Sequence, residues 1–146
     1  MKQLTVLASL VLAILAGCAT RPLPSEIYQG YPGPELPDAS VATVKWAYGF
    51  GTCADVIDFA HPDCSKYGSI KLAPGAHHIK WSRTFGVSVM VDPRMQATYS
   101  GNAQVELEAG HTYALRSDRT YGMGYRVFFW IEDTHTGSVI WGTKKL

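Results

Sequence analysis

The chain has 146 residues, of which 13 are Lys or Arg and 12 are Asp or Glu, so its net charge is close to zero. Basic residues form no block, which argues against nucleic acid as a partner, because phosphates are neutralised by clustered Lys and Arg. The length allows one domain with a hydrophobic core, after a leader and a tether, and is too short for two.

Residues 1–17 have the layout of a signal peptide. Lys2 supplies one positive charge, and residues 4–15 are uncharged and mostly Leu, Val, Ile and Ala. This apolar core is too short for a lasting transmembrane span. The segment ends in Leu15-Ala16-Gly17-Cys18, which resembles the lipobox of bacterial lipoproteins.

That resemblance implies three modifications: cleavage before Cys18, a diacylglycerol on its thiol, and an acyl chain such as palmitate on the new N-terminus. Three acyl chains would make dissociation from a membrane negligible, since each buried methylene contributes about 0.8 kcal/mol. In Gram-negative lipoproteins an aspartate after the cysteine tends to mark inner-membrane retention. Ala19 therefore favours the outer membrane, with the domain in the periplasm. The alternative is an ordinary signal peptide that is cleaved elsewhere.

Residues 18–38 are predicted to form the lipid anchor and a proline-rich tether. Five of the eight prolines lie here: Pro22, Pro24, Pro32, Pro34 and Pro37. Proline removes backbone donors and favours extended neighbours, so neither a helix nor a central strand is expected. Fully extended, such a spacer would reach about 60 Å. The alternative is that Tyr28, Tyr31 and the prolines form a ligand for a partner's groove.

Cys53 and Cys64 are predicted to form a disulfide. An exported domain lies in an oxidising compartment, and the lipid on Cys18 leaves these two as an even pair. The alternative is a metal site made by Cys53, His61 and Cys64, but their spacing matches no standard zinc pattern.

Residues 39–146 are predicted to form one all-β domain. Hydrophobic residues alternate with polar ones, and no window has a helical stripe. The predicted buried positions are Ala42, Val44, Trp46 and Tyr48; Ile70 and Leu72; Ile79 and Trp81; Val87, Val89 and Val91; Val105 and Leu107; and Tyr113 and Leu115. Glycine turns separate the strands. Seven or eight short strands predict an antiparallel β-sandwich, either immunoglobulin-like or transthyretin-like.

The strand at residues 125–132 is apolar on both faces. Val127, Phe129 and Ile131 lie on one side, and Phe128 and Trp130 on the other. Phe128 and Trp130 are therefore candidate binding aromatics on an exposed patch. The alternative is that a loop or the tether covers them.

Three turn motifs occur in a fixed order: residues 72–77 (Leu-Ala-Pro-Gly-Ala-His), 108–113 (Glu-Ala-Gly-His-Thr-Tyr) and 133–137 (Asp-Thr-His-Thr-Gly). In this order they resemble a group of small bacterial envelope lipoproteins, mostly uncharacterised. The resemblance spans nearly the whole chain after the leader. It implies a β-sandwich at the cell envelope and no known activity.

No catalytic motif of a hydrolase, zinc protease or phosphate-binding loop is present, so a non-catalytic protein without a cofactor or metal is predicted. His77 and His111 follow glycine turns and are expected to bond backbone carbonyls. The preferred function is binding of an envelope protein or of peptidoglycan, through the aromatics Trp46, Trp81, Trp130 or Trp141. The alternative is a periplasmic metal-binding module that uses His77, His78 and His111, with Met90 or Met123. Lysozyme inhibition is a third possibility that no particular residue supports.

Overall fold

A computed structural model of the chain describes residues 24–47, 51–86, 96–120 and 126–144. These ranges contain nine strands and one turn of 3-10 helix, at Asp38–Ser40. The strands are β1 (Glu26–Gln29), β2 (Ala42–Lys45), β3 (Thr52–Ile57), β4 (Tyr67–Leu72), β5 (Gly75–Gly86), β6 (Gln96–Leu107), β7 (Thr112–Arg119), β8 (Val127–Asp133) and β9 (Val139–Gly142). The all-β class predicted from the alternating pattern is confirmed.

The strands form two sheets. The larger has the order β1-β4-β2-β7-β8-β9, and the smaller has the order β3-β5-β6. Most neighbours are antiparallel, as predicted, but β1 pairs with β4 and β2 with β7 in parallel. The larger sheet is therefore mixed.

The core lies between the two sheets. The predicted buried positions within the described ranges are all buried, and Trp81 is fully so. Its indole reaches from the smaller sheet to the larger one, where it makes edge contacts with Phe129 at 5.7 Å and Trp141 at 5.4 Å between ring centroids. Tyr48, Val87, Val89 and Val91 lie outside the described residues, as do Met90 and Met123.

The glycine turns follow the prediction. Gly75 and Gly110 have φ values of +130° and +78°, in the region that favours glycine; Gly75 is the first residue of β5, and Gly110 lies two residues before β7. Both turns leave a histidine, His77 or His111, close to the start of the next strand. The turns therefore fix where these imidazoles lie.

Part of the predicted tether is a strand. β1 lies at the edge of the larger sheet, and the next residue, Gly30, donates its backbone N–H to the Lys71 carbonyl at 2.9 Å. Ile27 and Tyr28 favour strand geometry, and an edge strand tolerates the prolines that flank them. Pro24 passes so close to Gly68 that a Cβ on that glycine would clash with its carbonyl oxygen. Residues 24–30 of the predicted tether are thus held against the sheet rather than forming a free spacer.

The predicted disulfide is confirmed. Cys53 lies in β3, Cys64 lies just before β4, and their Cα atoms are 5.6 Å apart. Both sulfurs are therefore used in the covalent bond, and neither is a free metal ligand. The segment between them begins with β3, which pairs with β5 and adds the third strand of the smaller sheet.

Candidate functional site

The strand directions give the molecule two ends. We call the first the Pro24 end, where Pro24, Lys66, Arg83, Arg119 and Lys144 lie at or near strand termini. The other we call the histidine end. It carries the start of β5, the start of β7 and the end of β8, with His77, His78, His111, His135, Asp58 and Asp133.

Two of the resembling turn motifs meet at the histidine end. β7 pairs with β8 so that Tyr113 faces Asp133, which brings the turn before β7 beside the turn after β8. His111 Nδ1 is 2.7 Å from Asp133 Oδ2, and the His135 backbone N–H donates to Asp133 Oδ1 at 2.8 Å. His111 Nε2 lies 3.7 Å from a Glu108 carboxylate oxygen. The expectation that His111 bonds a backbone carbonyl is wrong, because strand pairing supplies a buried carboxylate instead.

The His111 and Asp133 side chains shift each other's pKa. The hydrogen bond that His111 donates to Asp133 raises the pKa of His111, desolvation opposes this, and the negative charge of Asp133 adds to the rise. Burial acts to raise the pKa of Asp133, but the hydrogen bonds from His111, His135 and Thr136 outweigh it and the pKa is lowered. The pair is therefore stabilised in its ionised form, imidazolium beside carboxylate.

A second pair of the same kind lies on the smaller sheet. His77 Nδ1 is 2.7 Å from Asp58 Oδ2, and the His78 backbone N–H donates to Asp58 Oδ1 at 2.9 Å. His77 Nε2 is 2.7 Å from the Ala73 carbonyl oxygen, so the predicted bond to a backbone carbonyl is confirmed for this histidine. The carboxylate of Asp58 comes from a turn that the sequence did not identify.

That turn exposes an aromatic ring. Ile57 and Ala60 exchange two backbone hydrogen bonds of 2.9 Å, so Asp58 and Phe59 form a two-residue hairpin turn. Asp58 has a φ of +52°, which its side-chain bonds to the β5 histidines help to hold. Phe59 is 98% exposed. A large apolar side chain is thus displayed on a fixed turn rather than buried.

An open cavity of about 490 Å³ lies next to this turn. Its lining residues are Asp58, Ala76, His77, His78, Gln104, Val105 and Glu106. The His78 ring meets the Asn102 side-chain oxygen at 2.5 Å, so the polar surface continues along β6. Carboxylate, imidazole and amide groups together offer both donors and acceptors to a ligand.

A smaller cavity of about 170 Å³ lies on the outer face of the larger sheet, lined by Ile27, Asp38, Thr43, Lys45, Lys71, Gly110, His111 and Thr112. Lys71 contacts Glu35 at 2.7 Å and Asp38 at 3.0 Å. Those two hydrogen bonds raise the pKa of Lys71, so its ammonium group stays charged. The contacts hold residues 35–38 against the sheet.

The predicted binding tryptophans are not surface groups. Trp46, Trp81 and Trp130 are buried, and Trp141 is half-buried against Trp81. Trp130 donates its Nε1–H to Glu132 at 3.2 Å, and Phe128 is half-buried. Trp130 is therefore buried rather than displayed on a surface patch. Phe59 is an exposed aromatic that the sequence did not indicate as a contact residue. The only signal for its turn was that two residues separate the apolar residues Ile57 and Ala60.

The histidines do not gather into one ligand set. His77 and His111 are each paired with a different aspartate. Within the ranges that the structure describes, no three His, Cys, Asp or Glu side chains are placed to hold a metal ion. No helix in those ranges has the length and apolar character to span a bilayer.

Comparison with known proteins gives no relative. No family model, curated protein or solved structure matches the chain. The immunoglobulin-like and transthyretin-like alternatives therefore both stay predictions, as does the resemblance to small envelope lipoproteins.

Proposed function

We propose that the chain is a non-catalytic lipoprotein of the bacterial envelope, anchored in the outer membrane through acyl chains on Cys18, with its domain in the periplasm. Its histidine end binds a cell-wall glycan. The anchor is supported by the charged, apolar and small-residue order of residues 2–18. The binding function depends on one observation above all, which is that Phe59 is exposed on a fixed turn whose other residue, Asp58, lines the open cavity.

A glycan fits this pairing of surfaces. Sugar rings present apolar C–H faces that pack on aromatic rings, while their hydroxyl groups need donors and acceptors. Phe59 follows Asp58 directly, and Asp58, Gln104 and Glu106 line the cavity. A volume of about 490 Å³ is in the range of small-ligand sites and would hold one or two sugar residues.

The histidine pairs support binding rather than catalysis. In a catalytic dyad one imidazole nitrogen faces the aspartate and the other faces a nucleophile. Here Nε2 of His77 faces the Ala73 carbonyl oxygen, and Nε2 of His111 faces Glu108. The His77 ring is thus bonded at both nitrogens, and the His111 ring is bonded at Nδ1 with a carboxylate rather than a nucleophile near Nε2, which suits a structural role in fixing the turns.

Co-sedimentation of the detergent-solubilised full-length lipoprotein with purified peptidoglycan sacculi tests the binding site. Phe59→Ala is expected to weaken binding about tenfold, the loss typical of a central contact residue. Tyr99→Ala is the matched control, because Tyr99 is an exposed aromatic nearer the Pro24 end and 37% accessible. Equal binding by wild type and Phe59→Ala would contradict the proposed site. If wild type bound no sacculi but retained an envelope protein through Phe59, the ligand would be a protein.

The anchor is tested separately by cell fractionation. Cys18→Ser removes the thiol that would carry the diacylglycerol, and we expect the protein to leave the membrane fraction completely, because three acyl chains supply the whole attachment. Wild-type protein in the soluble fraction would contradict the proposal. Glycan binding by the released variant would show that the two functions are separable.

A further inference from the structure

In the part of the chain that the structure describes, the two sheets have four edge strands, and three of these are protected against pairing with another chain. β1 and β9 have only four residues each, and β9 carries an extra residue where its register shifts opposite Ile131 and Glu132. β3 also has a register shift, and the disulfide holds Cys64 against it, with the sulfur 3.5 Å from the Ala54 carbonyl oxygen. Short edge strands, bulges and covering segments are the usual means by which proteins prevent edge-to-edge association.

β6 is the fourth edge strand, and it lacks these three protections within the described ranges. It has twelve residues, and each of them pairs with β5 in an unbroken register. Residues 96–105 contain no charged side chain and no proline. No other described strand pairs with β6, so one side of its backbone has no strand partner among those residues. A long, regular and uncharged edge is a template on which another strand can pair.

The outer-face side chains of β6 allow two copies of this strand to pair with each other. When two copies lie antiparallel about Gly101, each residue before Gly101 lies opposite the residue that is equally far after it in the other copy. The even-numbered residues are exposed on the outer face of the smaller sheet. Their opposite pairs are hydroxyl and amide groups with one carboxylate, and no like charges meet: Ser100 with Asn102, Thr98 with Gln104, and Gln96 with Glu106.

The inner-face side chains of β6 are complementary in size about the same point. Gly101 lies opposite itself, and the Trp81 indole occupies the space where its Cβ would be. Tyr99, which is 37% exposed, lies opposite Ala103, which is buried. Residues 96–100 are mostly exposed, whereas the odd-numbered positions from 101 onward are buried. The exposed half of one strand is therefore placed beside the half of the other strand that its own core covers.

We propose that the chain forms a dimer in which the β6 edges of two copies pair antiparallel about Gly101. The two smaller sheets then join into one sheet, with three strands from each copy. The pairing brings Gln96 and Thr98 of the second copy beside Gln104 and Glu106, which line the open cavity. Each cavity thus gains polar side chains from the other copy. This inference depends neither on the lipid anchor nor on glycan binding.

Disulfide trapping in bacteria that make the full-length chain tests the pairing. Ser100→Cys with Asn102→Cys places thiols at positions that face each other across the two copies. Directly opposite Cβ atoms lie about 4.5–5.5 Å apart, close to the geometry of a disulfide. Gln96→Cys with Thr98→Cys is the matched control, with the same strand, face, spacing and exposure. In the proposed register its thiols are at least about 20 Å from those of the other copy.

Non-reducing electrophoresis measures the disulfide-linked dimer. We expect at least about fivefold more dimer from the facing pair than from the control. Thr98→Cys with Gln104→Cys is a second facing pair that should also be trapped, so the test does not depend on the folding of one variant. Equal amounts from the facing pairs and the control, dimer from none of them, or more dimer from the control would each overturn the pairing about Gly101. None of these results would alter the proposed anchor or the proposed role of Phe59.

Discussion

The two ends of the sandwich differ in what holds them and in what they present. The Pro24 end begins next to the proposed anchor, and the half-buried Tyr28 and Tyr67 make an edge contact near it. The histidine end is acidic, is fastened by two imidazole–carboxylate pairs and leaves Phe59 in solvent. The comparison suggests a division of roles, in which one end attaches the domain and the other binds a ligand.

Both ends depend on the shared core, so the largest effect is expected there. Trp81→Ala removes the fully buried indole that joins the two sheets and should lower the free energy of unfolding by about 3–5 kcal/mol. Phe59→Ala should change it by less than about 0.5 kcal/mol, since that ring is exposed. Urea denaturation measures both. Similar losses for the two variants would mean that Phe59 packs in the native protein.

The next largest effect is expected from the disulfide between Cys53 and Cys64. Replacing both Cys53 and Cys64 with serine should lower the free energy of unfolding by about 3 kcal/mol, because the short closed loop restricts the unfolded chain. Reductant added to wild type should reproduce the effect in the same urea titration, and it should leave the double variant unchanged. A response of the double variant to reductant would show that the loss has another cause.

The pair formed by His111 and Asp133 should make the free energy of unfolding depend on pH. The lowered pKa of Asp133 contributes stability that is present above about pH 4 and is lost as the pH falls through the folded value. The raised pKa of His111 contributes stability that is present below about pH 6.5 and is lost as the pH rises through the folded value. The contribution of the pair is therefore greatest between these limits.

Asp133→Asn should consequently destabilise the protein by about 1–3 kcal/mol at pH 5.5 and by less at pH 8.5. Thermal unfolding at several pH values measures this difference. Glu108→Gln is the matched control with a smaller expected effect, because Glu108 lies at 3.7 Å from His111 and its side chain is 75% exposed. A pH-independent loss in Asp133→Asn would contradict the ionised pair.

The smallest effect is expected at residues 35–38 of the predicted tether, which contact the sheet through Lys71. Glu35→Gln with Asp38→Asn removes both ion pairs of Lys71 and should cost less than about 1 kcal/mol, because the two carboxylates are 72% and 86% exposed. Hydrogen exchange should quicken at Gly30, whose amide bonds to Lys71. Unchanged exchange there would show that β1 pairing alone holds the segment.

The sequence identified the strands that alternate cleanly. Ile79 and Trp81, or Tyr113 and Leu115, are buried as their spacing indicates. β3 was missed because its register shifts between Ala54 and Val56, which breaks the period of two. β1 was missed because the prolines that flank it favoured a spacer. An edge strand tolerates such prolines, since only one of its sides forms hydrogen bonds with the sheet. The first half of β6 is mostly exposed and pairs only with β5. It therefore lacks the buried face that would have predicted a strand.

The candidate site was less predictable. Local motifs indicated where His77 and His111 would lie, since each follows a glycine turn. Their partners Asp58 and Asp133 are 19 and 22 residues away in sequence and meet them only through strand pairing. The alternation of Ile79 and Trp81 with polar residues predicts that Trp81 is buried. That prediction conflicts with Trp81 as a surface contact. Phe59 lies in a turn without glycine, where propensity gives little signal.

The most direct test of the account is the mass of the mature N-terminal peptide from the full-length protein made in bacteria. We predict that it begins at Cys18 and carries a thioether-linked diacylglycerol with an amide-linked fatty acid. A peptide that begins at another residue, or an unmodified Cys18 thiol, would contradict the proposed anchor.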